Sequence, residues 1–354
     1  MKETAKRAAL VTLVVGGIVA LALALWKLKL LAALLFFAFI LTAAMRPTVE
    51  KLAKRGIPRG AGIGLHYIVL LGLIVGFLWI VVPRAIDQID AAVSDLPQTR
   101  SDLGAQARDS TGIRHDILVG LQGRLEDLPS GESLVDPAVE VTLTVFEIGL
   151  GIFFVLASAA YWIFERDRAE DLLCSLLPRP KRKKVRDTWE LIDAKLGAYV
   201  RGQAVLIVLV GAVLSLVFWA IGLPYWILVG AFAGVVELVP VVGPLAAGAL
   251  AIGVGLTVSW QTALAAGVAV LVVRLAEDYL VIPRVLGDAV GLTPLVVLVS
   301  VTACALLFGG FAVILAIPFA AVLATLVDVI VRDKDPAEED VPAVIFSAKD
   351  AESG

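Results

Sequence analysis

Long apolar stretches alternate with short polar ones along this chain. Continuous apolar segments cover Ala8–Leu25, Leu30–Met45, Gly62–Val82, Val141–Phe164, Ala204–Leu223 and Thr262–Ile282. Several approach or exceed the roughly 20 residues that a helix needs to cross a hydrocarbon core of about 30 Å. Two runs are longer. Tyr225–Ser259 carries one charge, Glu237, and Leu292–Val327 carries none. A straight helix over the 35 residues of the first run would reach about 52 Å, well beyond the core. The pattern therefore predicts an all-α polytopic membrane protein of about eight transmembrane segments. Two long broken helices or re-entrant hairpins are expected in its C-terminal half.

The breaks sit where helix-disfavouring residues cluster. The first run contains "VVELVPVVGPLAAG", in which Pro240 and Pro244 remove donors and Gly243 and Gly248 permit a turn or a close approach. The second has Gly309 and Gly310 in its middle and Pro318 further on. Broken backbone at membrane depth is tolerated only beside protein or a water-filled cavity. Each run follows a single span, 204–223 and 262–282. Hairpins opening from opposite sides would form an inverted repeat whose tips meet near the midplane.

Composition strengthens this reading: 59% of the 354 residues are hydrophobic and mean hydropathy is +0.92. A net charge of −3 gives no basis for nucleic-acid binding. Cys174 and Cys304 form no disulfide framework, and His66 and His115 show no metal-ligand spacing, so neither metal nor cofactor is expected. The basic and apolar start of the chain reads as a retained first span. Lysine and arginine asymmetry sets the orientation. Residues 46–60 carry five basic residues against Glu50 alone, and Glu165–Arg201 carries ten, including "KRKK" at 181–184. The stretch 84–140 has only five against eleven acids. Both termini and the 165–201 loop are accordingly expected in the cytoplasm, with 84–140 outside. The expected divisions are N-terminal spans over 1–83, a polar helical insert over 84–140, and a fourth span with its basic loop over 141–201. A transport core over 202–331 and a cytoplasmic, disordered tail over 332–354 complete the chain.

Charges within the apolar segments are the candidate chemistry. Glu237 at depth costs about 2.5–3.5 kcal/mol on insertion scales. It reads either as a proton- or cation-handling group or as a structural acceptor for amides freed at Pro240. Arg274 lies three residues before Glu277 and four before Asp278, so a helix presents all three on one face. That cluster reads equally as a neutralised group at a membrane boundary or as a relay facing Glu237. Gly72-x-x-x-Gly76 and Gly230-x-x-x-Gly234 permit close helix contact and, more weakly, a homo-oligomer.

"ELVPVVGP" at 237–244, "EDYLVIPRVLGDAVGLTPLVVL" from Glu277 and "FGGFAVILAIPFAAVL" from Phe308 together resemble the AI-2E transporter family, also called PerM-like permeases. The likeness covers most of the chain and is sharpest over 195–331. It implies a multi-pass protein of the bacterial inner membrane that exports the signal autoinducer-2, or exchanges sodium or lithium for protons. Glu237, Pro240, Gly243 and Pro244 match the first signature; Pro283, Gly287, Gly291 and Pro294 match the second. Asp278 stands where the family pattern has asparagine, and Thr293 where histidine is common, which adds a titratable group and favours cation coupling. The chain shows no GxxxxGK[ST] phosphate loop of its own and no HExxH. A secondary transporter of a small polar solute or a monovalent cation is therefore expected, and not an enzyme; a non-transporting membrane scaffold is the remote alternative.

Overall fold

The computed structural model describes residues 26–77, 135–240, 242–282 and 291–339, together with 79, 83 and 341. The described residues contain no strand. In chain order the helices are α1 (Lys29–Lys54), α2 (Arg59–Phe77), α3 (Val135–Ser175), α4 (Arg179–Ala220) and α5 (Trp226–Val236). They continue with α6 (Val242–Leu256), α7 (Trp260–Ala276), α8 (Pro294–Phe308) and α9 (Ala316–Ile330). A π-helical turn, Glu277–Val281, prolongs α7, and a 3₁₀ segment, Gly310–Leu315, precedes α9. Five described segments are long and apolar enough to cross a membrane: α1, α2, residues 146–175 of α3, α4, and the 3₁₀ segment with α9. The expected span over Ala8–Leu25, the 84–134 part of the insert, Pro283, Gly287 and the tail from 342 onward lie outside the described residues.

Both long runs are broken where the prolines and glycines stand. The first consists of α5 and α6, of 11 and 15 residues, about 17 and 23 Å at the usual rise. Neither half alone matches a hydrocarbon core. Between them the chain doubles back. A β-carbon placed on Gly243 would lie 2.0 Å from the Val236 carbonyl oxygen, so no larger residue fits this return. Val229 and Ala233 of α5 share one buried core with Ala247 and Ala251 of α6, with Val210, Leu214 and Phe218 of α4, and with Ala266 and Val270 of α7. The backbone of the turn satisfies itself: Val239 N–H donates to the Val236 carbonyl at 2.9 Å and Gly243 N–H to that of Val239 at 2.8 Å. Pro244 falls in the first turn of α6, where a missing N–H costs little.

Small residues let these helices approach. A β-carbon on Gly230 would meet Ser215 Oγ at 2.2 Å, and one on Gly234 the Ile207 carbonyl oxygen at 2.6 Å. This Gly-x-x-x-Gly pair thus seats α5 on α4. The other pair, Gly72 and Gly76, has nothing within 4 Å of where a β-carbon would be among the described residues.

The second run turns at Gly309, whose φ of 94° suits glycine alone. Cys304 of α8 packs against Ala312 and Ala316, twelve residues on at the farthest, which a continuous helix would hold well apart. Pro294 occupies the first turn of α8, behind the capping Thr293. Gly291 adopts a left-handed φ of 55° just before it. Pro318 is buried in the first turn of α9. Leu315 joins α9 to the core made by α1 and α4, which includes Ala33, Ile40, Ala43 and Leu196.

The segment expected as a basic loop, 165–201, is instead helical on both sides of a short link at 176–178. Its charges pair across the two helices, so the polar sequence carries the ends of α3 and α4 onward rather than interrupting them.

Candidate functional site

Glu237 caps the C-terminal end of α5, at the bend of the first hairpin. It is 8% exposed. Its carboxylate Oε1 accepts from Arg274 Nη1 at 2.8 Å, across 37 residues of sequence. The same nitrogen donates to Glu277 Oε2 at 3.2 Å, and Nη2 lies 2.9 Å from Asp278 Oδ1. Gln203 of α4 donates its amide to the Glu237 carbonyl oxygen at 3.2 Å. The bend is therefore held from α4 by its backbone and from α7 by its side chain.

Local structure explains how one guanidinium reaches three acids. Helical spacing puts Arg274, Glu277 and Asp278 together at the end of α7. The π-helical turn begins at Glu277, and such turns widen the backbone and recur at functional positions. Glu277 is 3% exposed, whereas the side chains of Arg274 and Asp278 are 31% and 41% exposed. Two carboxylates are thus enclosed and the third stands at the rim. Three carboxylates on one guanidinium leave an excess of negative charge when all are ionised. An unpaired charge in a low-dielectric setting is expensive, so the arrangement calls for a compensating positive charge.

Structure brings together Glu237, Arg274, Glu277 and Asp278, with Pro240, Gly243 and Pro244 forming the turn that presents Glu237. Gly309, Gly310 and Pro318 shape the second hairpin. Among the described residues no group of three or more histidines, cysteines, aspartates or glutamates is arranged to hold a metal. Gln203 is a contact that sequence reading missed; its only signal was a polar side chain at the start of an apolar run.

A second charged group was also missed. Arg166 of α3 donates from Nε to Asp193 Oδ2 at 2.7 Å and from Nη1 to Glu170 Oε2 at 2.9 Å. Arg46 of α1 lies 3.3 Å from the same Asp193 oxygen and pairs with Glu50, while Arg186 of α4 pairs with Glu170. Asp167 pairs with Arg59 and Arg166, and Asp171 with Arg186, so four arginines here meet five carboxylates in a network that ties α1, α2, α3 and α4 together. Its signal was the i,i+4 spacing of Arg166 and Glu170 inside the supposed loop.

The sequence profile of the AI-2E family transporter matches residues 15–332. The chain belongs to the AI-2E transporter family. Similar curated proteins include YrrI of Bacillus subtilis (strain 168), provisionally named a transport protein, 25% identical over 82% of this chain and 84% of its own length. PerM of Escherichia coli (strain K12), provisionally named a permease, is 26% identical over 85% of this chain and 87% of its own. MT0215 of Mycobacterium tuberculosis, also provisionally named a transport protein, is 24% identical over 93% and 91% respectively. Membership of this family and the helical spans make the chain a multi-pass membrane transporter.

Proposed function

We propose that this AI-2E family member is a secondary transporter that exchanges a monovalent cation, sodium or lithium, for protons through the Glu237 site. The observation that carries this reading is the Arg274 cluster: Glu237, Glu277 and Asp278 share one guanidinium at the bend of a broken membrane helix. A proton or a cation can each relieve the excess charge, and alternation between them is the physical core of exchange. Arg274 holds the carboxylates in place and repels a second cation. Gln203 fixes the bend against α4, so Glu237 moves with the hairpin.

Export of a small polar solute such as autoinducer-2 is the second reading, favoured by the family's own name. In that case the same carboxylates would supply acceptors to hydroxyl groups, and proton uptake would drive the cycle. Bacterial inner-membrane placement with both termini cytoplasmic fits either reading.

Proteoliposomes distinguish them. With a pH dye inside, added sodium or lithium should move protons in vesicles carrying the native chain and not in those carrying Glu237→Gln. Proton movement that is absent from native vesicles, with labelled autoinducer-2 accumulating instead, would replace exchange with solute export.

A further inference from the structure

Past α9 the chain turns back onto the bundle. Lys334 Nζ and Arg332 Nη1 pair with Asp328 at 2.7 and 2.8 Å, and Lys334 N–H donates to the Asp328 carbonyl at 3.0 Å. Asp333 takes a left-handed φ of 53°. Two residues on, Asp335 Oδ1 accepts from Ala337 N–H at 3.0 Å, and Pro336 between them is buried. Aspartate suits both positions, since it tolerates the left-handed region and its carboxylate closes a turn onto the backbone two residues later.

The resulting strap, 331–339, is pinned to α4 at two points. Lys184 Nζ donates to Asp333 at the turn, and Lys195 Nζ, three helical turns further along α4, lies 3.0 Å from Glu339 Oε2. Lys195 also donates to Thr325 Oγ1 of α9 at 3.4 Å, so one ammonium holds both the strap and the helix it leaves. The first pin is open to water, with side chains 39% and 88% exposed; the second is sheltered, at 11% and 33%.

The two helices so fastened belong to different units. α4 shares one core with both arms of the first hairpin, and its Gln203 holds the Glu237 carbonyl. α9 is the arm of the second hairpin that follows the turn at Gly309. Transporters built from paired broken-helix units work by moving one unit against the other. A strap across the two units opposes that motion for as long as its pins hold. Ion pairs that reach solvent are weak, so the strap can release without unfolding the bundle.

We propose that 331–339 is a latch that holds α9 against α4 and slows the transport cycle. The inference rests on the transporter reading and holds for either solute.

The test uses the full chain in proteoliposomes, with flux read as cation–proton exchange or as autoinducer-2 uptake, whichever native vesicles show. Asp333→Asn combined with Glu339→Gln removes both pins and leaves α4 and α9 intact. It should raise turnover about fivefold, the change expected from two weak pairs. Fastening the strap should do the opposite. Lys195→Cys with Glu339→Cys, in a chain carrying Cys174→Ala and Cys304→Ala, is joined by a short bis-methanethiosulfonate linker. The joined chain should lose flux and regain it in dithiothreitol. Nitroxides at the exposed positions 183 and 330 read the latch without flux: the neutral variant should add a longer distance to that of the native chain. A strap that only stabilises the fold predicts turnover unchanged or lower in the neutral variant, and that result overturns the proposal. So does flux that persists with the strap joined, or a nitroxide distance that stays single and unchanged. Vesicles without flux for either solute would fail the transporter reading, and the nitroxide distance then decides whether the strap holds α9. Asp333→Asn with Glu339→Gln alters only the strap, so the test stands where the cysteine pair fails to fold.

Discussion

Arg274 is the residue on which the candidate site depends. It holds two enclosed carboxylates and one at the rim, so the account predicts unequal effects of neutral substitutions. Arg274→Gln leaves Glu237 and Glu277 without a counter-charge and should cost about 3 kcal/mol or more, read as a lower unfolding temperature in detergent. Glu237→Gln keeps the shape of the side chain and relieves the charge excess. It should unfold no earlier than the native chain, yet lose flux. Much of this grouping was legible beforehand. The spacing of Arg274, Glu277 and Asp278 requires a shared face on any helix, and a lone glutamate beside two prolines stands out in an apolar run. That Glu237 meets Arg274 was open, because 37 residues and a hairpin separate them. Gln203 was hidden for a different reason: its partner is a backbone carbonyl, which no side-chain pattern reveals.

The hairpin turns rest on backbone proximity, and glycine substitutions test this directly. Gly243→Ala would place a methyl 2.0 Å from the Val236 carbonyl oxygen, and Gly230→Ala one 2.2 Å from Ser215 Oγ. Both should destabilise by about 1–3 kcal/mol, the usual cost of overpacking. Gly248→Ala meets Val270 at an ordinary 3.7 Å, and Gly72→Ala meets nothing within 4 Å. Both should be tolerated in a thermal-unfolding series. Proline and glycine made the breaks visible in the sequence. The direction taken after each break was not, because the same residues suit a kinked span or a returning chain. Only the contact of Gly243 with Val236, and of Cys304 with Ala316, decides it. The 165–201 segment misled for a related reason. Its density of lysine and arginine reads as a solvated loop, while pairing across α3 and α4 satisfies those charges on helices.

Two charged groups divide the labour in the protein. The arginine layer around Asp193 sets Arg46, Arg59, Arg166 and Arg186 among five carboxylates and joins α1, α2, α3 and α4. Asp193→Asn removes the negative charge shared by Arg46 and Arg166, and should lower the unfolding temperature, a loss of about 3 kcal/mol, while flux per folded molecule persists. Beyond α9, Asp333 accepts from the Lys184 ammonium, which holds its carboxyl below the usual aspartate range. A depressed value means that the contact is fully present above the ordinary aspartate pKa of about 3.9. It is then lost as pH falls through the folded value. A nitroxide at position 337 should gain mobility in acid, and Asp333→Asn should make it more mobile than in the native chain at neutral pH, with the Lys195–Glu339 pair still holding the far end. The cluster at Arg274 sets three carboxylates on one guanidinium, and that imbalance is the central claim. Its most direct measurement is proton release from the purified chain on adding sodium or lithium, taken by calorimetry in two buffers of different ionisation enthalpy. The account predicts that cation binding releases protons near neutral pH and that Glu237→Gln abolishes the release. Cation binding without proton release, or release that persists unchanged in Glu237→Gln, would contradict it.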